Sequence, residues 1–502
     1  MSTLTSLARA VALERGRAQP ACTVRHLHVS GRPLVFIPLA LAGEAGAPLA
    51  AMAGADPDSP RLLVVPQPRN RDQRFAFAAD LAAVIVPYIE SFFRALEPVP
   101  GGPRAEPRSR FADAPQILVP GPAALGFTRL LGRSTRFRRS EGAYAVPEPV
   151  PLLGRWLTYL AERAEYPGSS LLAAASGALA QHWATGQSPV EDLNLAALAG
   201  WIDPPAGLTG AEAAAAAEDP VAWPPAGPAT DPTFDNEVLA PLMAAHDRAA
   251  ASGDGRSVRR ARSALEDALA GQLAPTWRLM WQAVRLLRRL PPGGHVAARW
   301  NLDKDSFTTY ADYLREGGVP QPRRDSAVGA ARKLAWLERA EAAYSAQRAF
   351  DDPLVMAEHR LTGEAFAGLV TAAEPGRRDT SGRRAKLRPH ITVETSDAVL
   401  VASGGLLTSP ARPRQQALIV SVAPAGGLRT RVVLELSGGM GRGLTAGPGT
   451  VPAVGEVACY ATFSDGYQPP PAFPEPEQTP WTHGGPPAPY APTDEDAQED
   501  WS

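Results

Sequence analysis

Two pairs of carboxylates are spaced closely enough to share a cation: Asp303 and Asp305 in NLDKDSF, and Asp351 and Asp352 in AFDDP. Such a pair can hold Mg²⁺ when further oxygen ligands and a substrate phosphate complete the shell. Both pairs also stand where helices are expected to begin, and there an Asp side chain accepts from free amides. Capping is the simpler reading. Together with His359 they form the pool from which an enzyme site assembled from distant residues would be drawn. The commonest nuclease site needs an Asp and a Glu-x-Lys triplet on strands, and this chain has no such triplet. His26 and His28 lie two apart, which on a strand would place both on one face, yet no acid or third ligand adjoins them. They read as structural. Cys22 and Cys459 are far apart and suggest neither a disulfide framework nor a thiolate metal site. Walker A, GxSxG, HExxH and CxxC patterns are absent. No cofactor is called for, and no ATP turnover is expected.

Arginine is the abundant chemical group. Of the 50 basic residues only Lys304, Lys333 and Lys386 are lysines. Guanidinium forks bond phosphate and carboxylate bidentately. Arg, Ala, Gly and Pro are all frequent here, as GC-rich coding produces, so only the clustering of Arg carries weight. Arg129, Arg133, Arg136, Arg138 and Arg139 lie in FTRLLGRSTRFRRSEG with Phe127 and Phe137 interleaved. In TWRLMWQAVRLLRRL, Arg278, Trp281, Arg285 and Arg288 fall near one helix face, and Leu279, Ala283, Leu286 and Leu290 near another. The third cluster, RRDTSGRRAKLR, supplies Arg383, Arg384 and Lys386. Arg with interleaved aromatics suits a surface that tracks a phosphate backbone and stacks bases. The competing reading is a solvated helix face whose Trp281 belongs to the core.

The elements that must position these groups change character along the chain. GRPLVFIPLAL, APLAAMAG, RLLVVPQP and QILVP read as strands, and residues 69–97 as a helix despite Pro87. They predict a small α/β domain over residues 1–120 with a parallel or mixed sheet, opened by an amphipathic helix rather than a signal peptide. Residues 121–376 read as an α-helical region, with SSLLAAASGALAQHWATG among its helices and a loop near 203–232. Residues 377–389 read as a basic linker. HITVET, AVLVAS, QALIVSVAPA, RTRVVLELS and EVACYATF then predict five strands of a small β-barrel or sandwich over 390–465. From residue 466 the chain turns Pro-rich, with isolated apolar residues, and is expected to be a disordered acidic tail. The fold class is therefore α+β and multidomain. Net charge is −2 at pH 7, so no global field draws the chain to nucleic acid or membrane, and local patches must do so. With no run of about 18 apolar residues, a cytoplasmic location and no membrane contact are expected.

Within the β module, SGGMGRG (Ser437–Gly443) is a Gly-rich loop after a strand. A Rossmann-type cradle needs amides converging at a helix start, and the following LTAGPGTVP cannot open a helix. The loop reads as flexible, with Arg442 as a contact residue. QALIVSVAPAGGLRTRVVLELSGGMGRG followed by VGEVACYATF resembles, in strand rhythm, the small β-barrel inserted in superfamily 1 nucleic-acid helicases. Because motor motifs are absent, the resemblance implies an accessory subunit. The terminal DEDAQEDWS sets Asp494, Glu495, Asp496, Glu499 and Asp500 before Trp501. It resembles in outline the acidic, aromatic-ended tails by which single-stranded DNA-binding proteins recruit partners, although it ends in Trp-Ser rather than Phe. Such a tip can dock Trp in an apolar pocket rimmed by cations. These observations lead to a non-catalytic accessory or adaptor subunit acting near nucleic acid beside a helicase or nuclease, with a protein partner at the tail. The alternatives are a protein-interaction scaffold without nucleic-acid contact and an enzyme built from the distant carboxylates and His359.

Overall fold

The structure, a computed structural model, describes residues 3–44, 46–102, 106–224, 229–466 and 472. It divides into two units, the larger formed by Thr5–Ala21 and Arg25–Leu334, the other by Cys22–Val24 and Ala335–Ala472 with the first four residues. The N-terminal helix α1 spans Thr3–Arg15.

The larger unit is built on LVFIPLA. A run with no polar residue cannot leave one face to water, and β1 (Leu34–Ala40) is buried along its whole length. It pairs antiparallel with β2 (Pro48–Gly54), which pairs antiparallel with β3 (Arg61–Val64). On its other side β1 pairs parallel with β4 (Ile117–Val119), and β4 pairs parallel with β5 (Leu172–Ala174). The sheet order is β3-β2-β1-β4-β5. Alternate residues of β1 serve opposite cores: Leu34 and Phe36 face one, Val35, Ile37 and Leu39 the other.

Helices cover both faces. The first core takes α2 (Arg71–Glu90, capped by Asn70), α3 (Pro122–Thr135) and α4 (Pro149–Ala164), with Phe75, Leu81, Leu131 and Leu157. α3 and α4 approach closely: a Cβ at Gly132 would stand 2.7 Å from the Thr158 amide nitrogen. The second core takes α5 (Ala175–His182), α6 (Leu195–Ile202) and α7 (Gly255–Arg289). α8 (Val296–Arg315) sends Trp300, Phe307 and Ala311 into the first core. Contrary to the expectation that no run reaches spanning length, α2 extended to Arg94 is long and apolar enough to cross a membrane by length and composition alone. Its apolar residues Phe75, Phe77, Leu81, Ile85 and Ile89 are buried in the first core.

The expected boundary near residue 120 therefore falls inside one unit. The helices after it are layers on the same sheet. The reason is β5: SSLLAAASGALAQHWATG reads as helix throughout, but Leu172–Ala174 adds to β4 and helix starts only at Ala175. A three-residue Ala-rich strand shows no period of its own, and its pairing to β4 decides its state.

The second unit carries the end of α9 (Ala327–Asp351), α10 (Pro353–Leu361) and a closed barrel. Its strands are β6 (Ala365–Glu374), β7 (His390–Thr395), β8 (Leu406–Ser409), β9 (Arg412–Pro424), β10 (Thr430–Ser437) and β11 (Val457–Ala461). All pairings are antiparallel, in the order β6-β7-β10-β9-β8-β11 and back to β6. Alternation fills the interior, as with Ile391 and Val393 on β7 and Val432, Leu434 and Leu436 on β10.

Three expectations change here. β6 lies where the pattern predicts the close of the helical region, but Gly363 at φ 77° ends the helix and the next ten-residue strand closes the barrel. AVLVAS forms no strand; Leu406–Ser409 takes that place. The stretch 377–389 is no tether, since Arg378–Asp379 pairs with Lys386–Leu387 as a short hairpin between β6 and β7.

Candidate nucleic-acid interface

The loop between β6 and β7 and the loop after β10 border the same groove. That groove, of about 440 Å³, is lined by Lys386, Leu387, Arg388, Gly438, Met440, Gly441, Gly443 and Leu444. A second, of about 430 Å³, is lined by Leu406, Thr408, Arg414, Gln416, Ser437, Gly438, Thr462 and Ser464, among others. Gly438 borders both. The SGGMGRG loop is held by Met440, whose side chain enters the barrel core. A Cβ at Gly438 would lie 2.9 Å from the Arg414 carbonyl oxygen, so the loop lies directly against β9.

Charge is concentrated here. Arg383, Arg384, Lys386, Arg414 and Arg442 are exposed, and none forms an ion pair with a described residue. Asp379 stands opposite Lys386 in the hairpin register; its bonds to Ser381, then the charges of Lys386 and Arg388, hold its carboxyl below the usual range. Glu435 accepts from Arg377 at 2.8 Å and lies 3.6 Å from Arg388 and 3.3 Å from His390. Arg412 is taken up by Glu456 at 2.8 Å, which lowers that carboxyl. Cation excess remains over these acids. Arg388 closes the RRDTSGRRAKLR cluster, whereas Arg414 lies outside every basic cluster of the sequence.

The other clusters do not assemble in this way. Trp281 is 7% exposed and lies in the second core of the larger unit, edge-on to Trp277 at 5.8 Å. This corrects its reading as a stacking surface: a residue between Met280 and Val284 on an amphipathic helix turns inward once the sheet is present. Arg278, Arg285 and Arg288 are exposed on α7, and Arg288 donates to the carbonyls of Ser30 (2.7 Å) and Gly31 (3.1 Å). Arg136 and Arg138 are buried, which corrects their reading as contacts: Arg136 donates to Gln321 and Pro322 carbonyls, and Arg138 to that of Ser134. Arg129 pairs with Glu165 at 2.6 Å, while Arg133 and Arg139 are exposed. The tail residues Asp494, Glu495, Asp496, Glu499, Asp500 and Trp501 lie outside the described residues.

The pool for an assembled enzyme site is divided. Asp303 and Asp305 belong to the larger unit, Asp351, Asp352 and His359 to the other. Asp352 caps α10 through the Leu354 amide at 2.9 Å, as expected. Asp303 and Asp305 are not caps but lie in mid-helix on α8. Asp305 pairs with Arg108 and Arg110. His359 bonds Glu364 at 2.9 Å.

Asp303, 1% exposed, is the centre of a buried network: it accepts from Arg163 (2.9 Å), the Ser169 hydroxyl (2.8 Å) and the Ser170 amide (2.6 Å). Burial pushes its carboxyl above the usual range, and Arg163 opposes this. Ser170 Oγ in turn accepts from the His28 amide, and Gln116 donates to the carbonyls of His28 and Ser170. His26 and His28 lie on no strand and face different rings, His182 at 5.7 Å and Trp300 at 3.9 Å. The network therefore pins the segment before β1 to β4, β5 and α8.

Burial lowers the His28 pKa from 6.5 to about 4. Between these values the unfolded chain binds a proton that the folded one excludes, so this contribution is complete above about pH 6.5 and is lost as pH falls towards 4. His28→Gln should flatten the stability profile across that window, measured by urea denaturation at stepped pH. An unchanged slope would show that other groups set it.

The geometry defines a two-unit α+β protein with a basic end on a closed antiparallel barrel. No protein-family model matches the chain, and neither a curated protein nor a solved structure is significantly similar to it.

Proposed function

We propose that this chain is a non-catalytic accessory subunit that contacts nucleic acid through the basic end of its barrel, working beside a helicase or nuclease partner. The observation that carries the reading is a pair of grooves that meet at Gly438 and are lined by Lys386, Arg388 and Arg414, with Arg383, Arg384 and Arg442 exposed on the adjoining loops and, like Lys386 and Arg414, in no ion pair among the described residues. Cations kept in water gain little for the fold and are available to phosphates. Among the described residues no aromatic side chain lines either groove, which favours contact to the sugar–phosphate chain and a weak sequence preference. The resemblance of the barrel sequence, in strand rhythm, to the small β-barrel inserted in superfamily 1 helicases is the ground for proposing a motor as the neighbouring subunit.

The test replaces Arg383, Arg384, Lys386 and Arg442 with Gln in the full chain. Binding to a fluorescent single-stranded oligonucleotide, followed by anisotropy over a salt series, should weaken for every sequence. The log–log salt slope should fall by about 0.7 per lost phosphate contact. Melting temperature should hold, because the four side chains are exposed. Unaltered affinity and slope would remove the barrel end as the contact surface.

A further inference from the structure

We propose that the loop Gly438–Leu444 is a phosphate seat in which backbone amides, and not only side-chain cations, bind the anion. From Gly438 to Leu444 no backbone amide donates a hydrogen bond to another described residue. The amide of Leu436 in β10 before the loop is paired with the Pro389 carbonyl, and beyond it Gly447 donates to the Met440 carbonyl at 3.0 Å, which folds the following turn back on the loop. Positive φ recurs at Gly438 (73°), Gly439 (64°), Gly441 (100°) and Gly443 (147°), a backbone that L side chains rarely adopt and that turns successive N–H groups away from a regular ladder. Met440 is 4% exposed and anchors the centre of the loop in the barrel. The free amides therefore belong to a fixed segment beside Lys386 and Arg388 in one groove. Amides supply directed donors and the cations supply charge, which is the donor set that a phosphate oxygen takes. No helix follows, so the seat owes nothing to a helix dipole.

The seat deepens the nucleic-acid reading, which names the source of the phosphate. That source is either the phosphodiester chain or a 5′-terminal phosphomonoester. Hydrogen–deuterium exchange of the full chain, read on the peptide spanning residues 438–444, should slow on addition of inorganic phosphate but not of chloride at equal ionic strength. Gly441→Ala leaves the cations in place, and its Cβ would meet no atom within 4 Å, so the substitution acts through φ alone. It should weaken phosphate binding about tenfold, the factor expected for losing one charge-assisted hydrogen bond. Unchanged exchange on phosphate addition overturns the seat, whatever the variant does. Single-stranded oligonucleotides with a 5′-phosphate or a 5′-hydroxyl separate the sources: tighter binding of the former assigns the terminal group, and equal binding with equal protection assigns the chain. Oligonucleotide binding without protection of 438–444 overturns the seat and leaves the nucleic-acid reading. Protection by inorganic phosphate without oligonucleotide binding does the reverse.

Discussion

Asp303→Ala should destabilise the α/β unit by about 3–5 kcal/mol, the cost of removing one partner from a buried ion pair. The substitution leaves Arg163 without its acceptor and strips the Ser169 hydroxyl and Ser170 amide of theirs. Arg163 would have to recruit water at a site where its own side chain is 12% exposed. Chemical denaturation followed by near-ultraviolet circular dichroism reads the loss. The double variant Asp303→Ala, Arg163→Met removes the stranded charge and should recover part of the stability. If it is no more stable than the single variant, the charge is not the cause. The nucleic-acid binding proposed for the barrel should be the same in both variants as in the parent chain, since Asp303 is not part of that surface.

Trp281→Ala should cost about 3–5 kcal/mol through the cavity it leaves in the second core. The indole touches Trp277, and the helix behind it packs Leu273, Met280 and Val284 into the same core. Its Nε1 is buried with no hydrogen-bond partner among the described residues, so Trp281→Phe loses little polar contact and should be much milder. A stacking residue would behave in the opposite way, with binding lost and melting temperature kept. Measuring both on the same variant decides between them, and retained stability with lost oligonucleotide affinity would overturn the core assignment.

The long apolar runs are legible from residue type alone. LVFIPLA has no polar residue to place in water, and the run from Phe75 to Ile89 repeats apolar residues at helical spacing, so β1 and α2 stand where they are expected. The barrel strands β7, β9, β10 and β11 alternate and are legible for that reason. β5 and β6 are not, because short or Ala-rich strands acquire their state from neighbours in the sheet. The basic residues are visible as clusters in the sequence, but their availability is not. Arg136 and Arg384 are equally basic in sequence, yet one is buried against Gln321 and Pro322 and the other is exposed.

The amino-acid sequence by itself determined the α+β class, the barrel's alternating strands, the absence of nucleotide-hydrolase motifs and the presence of a Gly-rich loop after β10. Each is a property of local pattern: period, turn chemistry or a fixed spacing. Tertiary structure decided which arginines remain free, that Trp281 is core, that Asp303 is a buried anchor and that the 377–389 stretch folds back beside Gly438–Leu444. Burial and charge pairing depend on residues far apart in the chain, such as Arg163 with Asp303 or Arg377 with Glu435, and only folding brings them together.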